Sequence, residues 1–218
     1  MKMNTKTRTL TAVGMLCALA FVASFCKIPV VLWLKYEPKD VIIAVGAFLF
    51  GPLTAVVTSL VVSLLELTNS ETGLIGMAMN ILATCTYVCP AALLYKRKRT
   101  MTSAAVGLVF GALFATGAML LWNYFLTPLY MGYPREAVAE LLLPAFLPFN
   151  LLKTGLNTAL ILLLYKPLVT ALRRTRLLPP TPGGANAPTR PERTGVFLLA
   201  LFLLLSCVAA FLVLRGIL

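Results

Sequence analysis

Residues 41–65 read VIIAVGAFLFGPLTAVVTSLVVSLL, twenty-five positions without a charge. A run of this length and polarity is that of a membrane segment, since about 20 apolar residues span a bilayer as a helix. At its middle stand Gly51 and Pro52, a pair that marks either a kink in one helix or a tight turn between two. A turn gives the whole chain seven spanning helices and a cytoplasmic N-terminus; a kink gives six and an external N-terminus. Against the turn, a helix over residues 38–50 rises only about 20 Å, short of the roughly 30 Å hydrocarbon core, so it needs protein around its ends. In its favour, Pro38 suits a first helical position and Asp40 a first turn, and Gly51-Pro52 can end one helix and start the next. On these residues alone the two readings balance.

The rest of the chain is of the same kind. Its 218 residues are 60% hydrophobic and 12% charged, with a mean hydropathy of +0.91, about half the charge of a soluble domain. Further apolar runs cover residues 9–26, 73–95, 104–127, 144–164 and 196–214. The first follows Lys2, Lys6 and Arg8 and resembles a signal peptide in outline, but everything after it is also membrane-like, so an uncleaved first helix is expected. The 19 Lys and Arg against 7 Asp and Glu gather between apolar runs, which fits topology signals better than a nucleic-acid surface. Lys96-Arg97-Lys98-Arg99 and the Arg173, Arg174, Arg176 group fall on the cytoplasmic side in both readings, and the chain ends outside; the basic residues do not choose between six and seven helices. Residues 177–193, LLPPTPGGANAPTRPER, bury almost nothing and read as a linker. The expected organisation is a membrane domain over 1–176, a linker over 177–194 and an additional spanning helix over 195–218, which carries only Ser206 and Cys207 as interruptions and is expected to face lipid.

Histidine is absent, which removes His-based zinc sites, His general bases and Ser-His-Asp triads. The five cysteines lie in or beside apolar runs, where a thiol is a small hydrophobe and an odd count argues against a disulfide framework. Cys85 and Cys89 share a helix face, but two thiols without His or carboxylates make a poor metal site. No metal or cofactor is expected.

Polar side chains inside a membrane are costly unless paired or lining a cavity, so their helical phase carries the functional signal. Asn150, Lys153 and Asn157 stack on one face of the 144–164 helix. Asn150 and Lys153 sit at a proline-bounded mouth (Pro144, Pro148) and are read as binding residues, whereas Asn157 and the Ser59, Ser63 stripe read as helix glue. Glu66 follows that stripe at the same membrane side. Asn123 and Tyr124 near the end of another helix, and Tyr36, Glu37, Lys39 and Asp40 in the loop after helix 1, converge there too. On helix 1, Gly14 with Ala18 and Ala20 with Ser24 have small-xxx-small spacing, which serves either a docking partner or packing within the bundle.

These residues lie in stretches that resemble the substrate-binding S components of energy-coupling factor (ECF) vitamin transporters, riboflavin branch: TLTAVGMLCALAF, LKYEPKDVIIAVGAFLFGPLTAVV, WNYFLTPLYMG and PFNLLKTGLN. The resemblance spans nearly all of residues 8–172. It implies an all-α integral membrane fold, a six-helix S-component bundle with a turn at the GPL segment and a cytoplasmic N-terminus in a bacterial cell membrane, to which a seventh, C-terminal helix is added here. It further implies riboflavin as transported substrate, a lid in the loop after helix 1, and a T component driven by two ATP-binding subunits, since this chain has no phosphate-binding loop of its own. Carried over, NYF supplies Asn123, PFNxxK supplies Asn150 and Lys153, and the loop supplies Tyr36 and Asp40 as substrate-binding residues; Gly14 and Ala18 become the docking pair. The loop departs from the family's Asp-Phe-Ser-Asp-like sequence by reading Tyr36-Glu-Pro-Lys-Asp40.

Two other readings compete. One is an S component for another vitamin or small metabolite, against which NYF and PFNxxK argue. The other is a different class: a non-catalytic membrane scaffold, or a membrane enzyme of the kind that needs clustered Asp residues, and Asp40 is the only Asp in the chain.

Overall fold

A computed structural model describes residues 5–70, 72–174 and 190–214. Helix α1 (Thr5–Ser24) is followed by a β-hairpin, β1 (Ile28–Val31) and β2 (Leu34–Tyr36), and then by helices α2 (Lys39–Phe50) and α3 (Pro52–Glu66). After a single 3-10 turn come α4 (Gly73–Lys98), α5 (Met101–Met131), a short α6 (Arg135–Leu141), α7 (Leu147–Arg174) and α8 (Arg190–Leu214). Among the described residues six helical stretches are long and apolar enough to cross a membrane, and α2 is not among them.

The chain turns at Gly51-Pro52. Gly51 takes φ 105°, a conformation that ends a helix and that side chains disfavour, and Pro52 opens α3. At 12 residues, α2 rises about 18 Å, and it survives because it is sheathed by protein: α1, α3, α4 and α7 all pack on it. Its residues from Val41 to Phe48 are buried except Ile42. Helices α4 and α5 approach each other closely. A Cβ on Gly107 or Gly111 would overlap the backbone of Ala91 or Tyr87, so two glycines one turn apart let the two axes approach.

Helix α7 is preceded by a wide π turn over Leu142–Phe146, where the prolines at 144 and 148 break regular helix pairing. The hairpin and α6 were not expected from the sequence, which reads the hairpin's residues as a loop. The hairpin buries Val30 and Tyr36 against Phe149 and Leu152, with Val31 and Leu34 packed on the same cluster.

The expected linker over 177–194 lies mostly outside the described residues. Helix α8 begins at Arg190 rather than at residue 195, with Pro191 at a first-turn position that tolerates a missing N–H. Most of α8 faces outward, as Phe197, Phe202 and Leu205 do. One stripe does not: Ala200 is fully buried, and Phe211 and Leu214 pack on the cluster of Val30, Tyr36, Phe149 and Leu152. The helix expected only to face lipid therefore also packs on α7, α5 and β1.

Candidate functional site

The hairpin, the end of α3, the start of α4, the C-terminal half of α5 and the start of α7 meet at one end of the bundle and line a partly open cavity of about 220 Å³. Its roof is Trp33, Leu34 and Lys35 of the hairpin; Trp33 stacks on Tyr133 with ring centroids 5.8 Å apart, which ties the hairpin tip to the loop after α5. Its walls carry Glu66 from α3, Asn80 from α4, Asn123 from α5, and Phe149, Asn150 and Lys153 from α7.

Three of the five substrate residues read from sequence thus line the cavity: Asn123, Asn150 and Lys153. Asn150 gives one amide N–H to the Phe146 carbonyl at 2.8 Å, which pins the side chain and leaves its carbonyl oxygen without an intrahelical partner. Asn123 donates to the Met119 carbonyl at 2.7 Å and accepts from Thr127 at 3.1 Å. Each of these amides is held in one rotamer by its own helix, with donor or acceptor capacity to spare.

Tyr36 and Asp40 do not line the cavity. They form a buried layer behind Lys153. Asp40 accepts from the Thr84 hydroxyl at 2.7 Å and from the Asn157 amide at 3.4 Å, and its carboxylate lies 3.4 Å from the Lys153 ammonium. Tyr36 donates to the Asn157 carbonyl oxygen at 2.9 Å. Burial above all, and then the Asp40 carboxylate, push the Tyr36 phenol well above its ordinary pKa, so it stays a neutral donor. Asn157 is accordingly glue of a particular kind: it joins the hairpin to the carboxylate, and through Asp40 to the ammonium facing the cavity.

A second charged group stands beside the first. Lys39, only 1% exposed, bonds both oxygens of Glu66 and approaches Glu37 to 2.7 Å. Asn80 donates to Glu66 at 3.3 Å. A buried ammonium between two carboxylates is tolerated because the charges are paired. Glu66, left unassigned from sequence, is thereby a cavity residue with two protein partners.

Sequence reasoning missed Trp33, Asn80 and Thr84. The last two were findable: Gly76, Asn80 and Thr84 recur every four residues along α4, a polar and small stripe in an apolar helix. Trp33 carried no periodic signal. Its indole N–H is buried and has no hydrogen-bond partner among the described residues, a donor left unmet inside the protein.

Gly14 and Ala18 lie far from this in role. Both are on the exposed face of α1, with open space at Gly14, whereas Ala20 and Ser24 at the same spacing are buried in the bundle. Among the described residues no group of three His, Cys, Asp or Glu side chains comes together to hold a metal ion.

Fold and site define a multi-pass, all-α membrane protein that holds a small polar cavity under a hairpin, with Lys39, Glu66, Lys153 and Asp40 engaged in ion pairs around it. Residues 8–165 match the family described as the substrate-specific component of ECF transporters, and the chain belongs to that family. It is therefore the substrate-binding part of a transporter and not an enzyme. It is 31% identical over 176 residues to the riboflavin transporter RibU of Staphylococcus aureus, covering 77% of this chain and 93% of that one. RibU of Streptococcus thermophilus is 29% identical, covering 77% and 86%, and the riboflavin transporter FmnP of Bacillus subtilis 26%, covering 73% and 91%. A solved S component of a bacterial ECF transporter superposes with a TM-score of 0.67 at 30% identity, covering 78% of this chain and 99% of that one. The six-helix bundle of α1 to α5 and α7 is thus a shared fold, and α8 falls beyond residues 8–165 of the family match.

Proposed function

We propose that the chain is the riboflavin-binding S component of an ECF transporter and takes up the vitamin together with a T component and two ATP-binding subunits. The observation that carries this is the cavity itself, walled by Asn123, Asn150 and Lys153 under Trp33, in a chain similar to riboflavin transporters. Isoalloxazine is a flat aromatic with amide-like donors and acceptors along one edge. Asn amides and a Lys ammonium suit that edge, and Trp33 and Phe149 suit its faces. Asp40, Thr84, Asn157 and Tyr36 hold Lys153 and the lid in place without needing to touch the ligand.

The basic ends of α4 and α7 favour a cytoplasmic N-terminus, because the chain then alternates so that both clusters lie inside and the cavity opens outside. Gly14 and Ala18 are the docking pair for the T component in this reading, supported by their exposure on α1. Riboflavin titrated into the purified protein in lipid nanodiscs tests the ligand: flavin fluorescence is expected to be quenched with one site per chain. Tight binding of thiamine, biotin or folate without flavin quenching would move the protein to another branch of the family.

A further inference from the structure

Helix α8 lies outside the stretch that the family match covers, yet it reaches the back of the site. It runs against α7 in the opposite direction: Cys207 meets Gly155, where a Cβ would sit 2.7 Å from the thiol sulfur, and Phe211 and Leu214 meet the cluster that Phe149 and Leu152 of α7 share with Val30 and Tyr36 of the hairpin. The α8 helix also adjoins β1 directly. Lid and helix α8 are therefore two sides of one apolar cluster.

We infer that α8 is a brace for the hairpin lid, with Phe211 and Leu214 as positioning residues that hold it in its packed place over the cavity. This rests on the reading of that cavity as the riboflavin site. Neither residue lines the cavity, so their contacts favour the packed hairpin whether or not a ligand lies beneath it. A contact of that kind acts on kinetics more than on affinity. Entry needs the lid to open and so does exit, and a brace that stabilises the packed lid equally in both states slows both and leaves their ratio nearly unchanged. In water-facing hairpins of this size, two short strands are marginal by themselves, which is why an added helix can matter here.

Stopped-flow flavin fluorescence on the full chain in nanodiscs reads both rates. Phe211→Ala and Leu214→Ala are expected to raise association and dissociation alike, each by about tenfold, the change that matches losing roughly 1.4 kcal/mol of apolar contact. Phe211→Leu should restore most of the wild-type rates, and Phe202→Ala, on the exposed face of the same helix, should leave them unchanged. Gly155→Val, which thrusts a side chain at Cys207, should mimic the Phe211 variant, with Cys207→Ala returning part of the way. Unchanged rates in the Phe211 and Leu214 variants overturn the brace. So does weaker binding with association unchanged or slower, which means a damaged site rather than a freed lid. If the wild-type chain itself leaves flavin fluorescence unaltered, the ligand reading fails and the inference falls with it.

Discussion

The contact between Asp40 and Lys153 offers the sharpest test of how the site is assembled. At 3.4 Å and an effective dielectric near 20, the two charges attract by roughly 5 kcal/mol. Much of that is returned when one partner is removed, because Lys153 borders the cavity and regains solvent, and because the separation is long for a direct charge-assisted bond. A coupling of about 1–3 kcal/mol remains. Asp40→Asn keeps an oxygen for the Thr84 hydroxyl while discarding the charge, so it isolates the ammonium without emptying the space. It should weaken riboflavin binding by about 10- to 100-fold, equivalent to roughly 1.4–2.7 kcal/mol, although Asp40 itself does not line the cavity. Lys153→Met should cost a similar amount, and the two together should cost less than their sum by the coupling. Riboflavin affinities of the four proteins, read by fluorescence quenching in nanodiscs at one salt concentration, close the cycle. Additivity within about 0.5 kcal/mol would refute the argument, and would mean that Lys153 serves the ligand without the carboxylate behind it.

Trp33→Phe should lower riboflavin affinity by about 1 kcal/mol if the indole N–H gives its bond to the ligand, while ligand-free thermal stability holds or rises because a buried donor without a partner is gone; lowered stability with unaltered affinity would count against it. The Tyr36 phenol has an ordinary pKa of 10.0 that burial and then Asp40 raise, so the neutral phenol contributes fully below pH 10 and loses that contribution as pH climbs through 10 towards the raised value. Thermal unfolding between pH 9 and 11 should therefore fall more steeply for the wild type than for Tyr36→Phe, and parallel profiles would contradict the shift. Gly14→Trp or Ala18→Trp should leave flavin quenching intact and abolish ATP-driven uptake in membranes holding the whole transporter; uptake retained in both would place the partner on another face.

How far the sequence disclosed this molecule depends on the range of each interaction. The α7 stripe was legible because Asn150, Lys153 and Asn157 are neighbours on one helix, and helical phase alone groups them. The break at Gly51-Pro52 was visible as two residues with special backbone demands, although the residues themselves left kink and turn in balance and only the family resemblance separated them. What was not legible is what the fold joins at long range. Lys39 and Glu66 belong to different helices, and Asp40 finds Thr84 and Asn157 only once α2, α4 and α7 are packed. The hairpin escaped because Leu32 and Trp33 at its tip are not turn formers; Leu32 takes φ 50° without a glycine, so tertiary packing of Trp33 and of Val30 fixes a turn that local propensity would not.

The shortness of α2 ties these observations together. A helix of full span would carry its first turn to the membrane surface, where Lys39 and Asp40 would be solvated and needless as partners. At 12 residues, some 12 Å short of the hydrocarbon core, α2 instead starts within the bundle, and its first two residues are buried to 1% and 2% exposure. Charges placed there must be paired, and their partners come from the helices that wall the cavity: Glu66 of α3 for Lys39, Thr84 of α4 and Lys153 of α7 for Asp40. The same shortfall leaves depth above α2 for the hairpin and the cavity under it. The length that made a turn at Gly51 look unfavourable is thus what makes room for the cavity within the bundle.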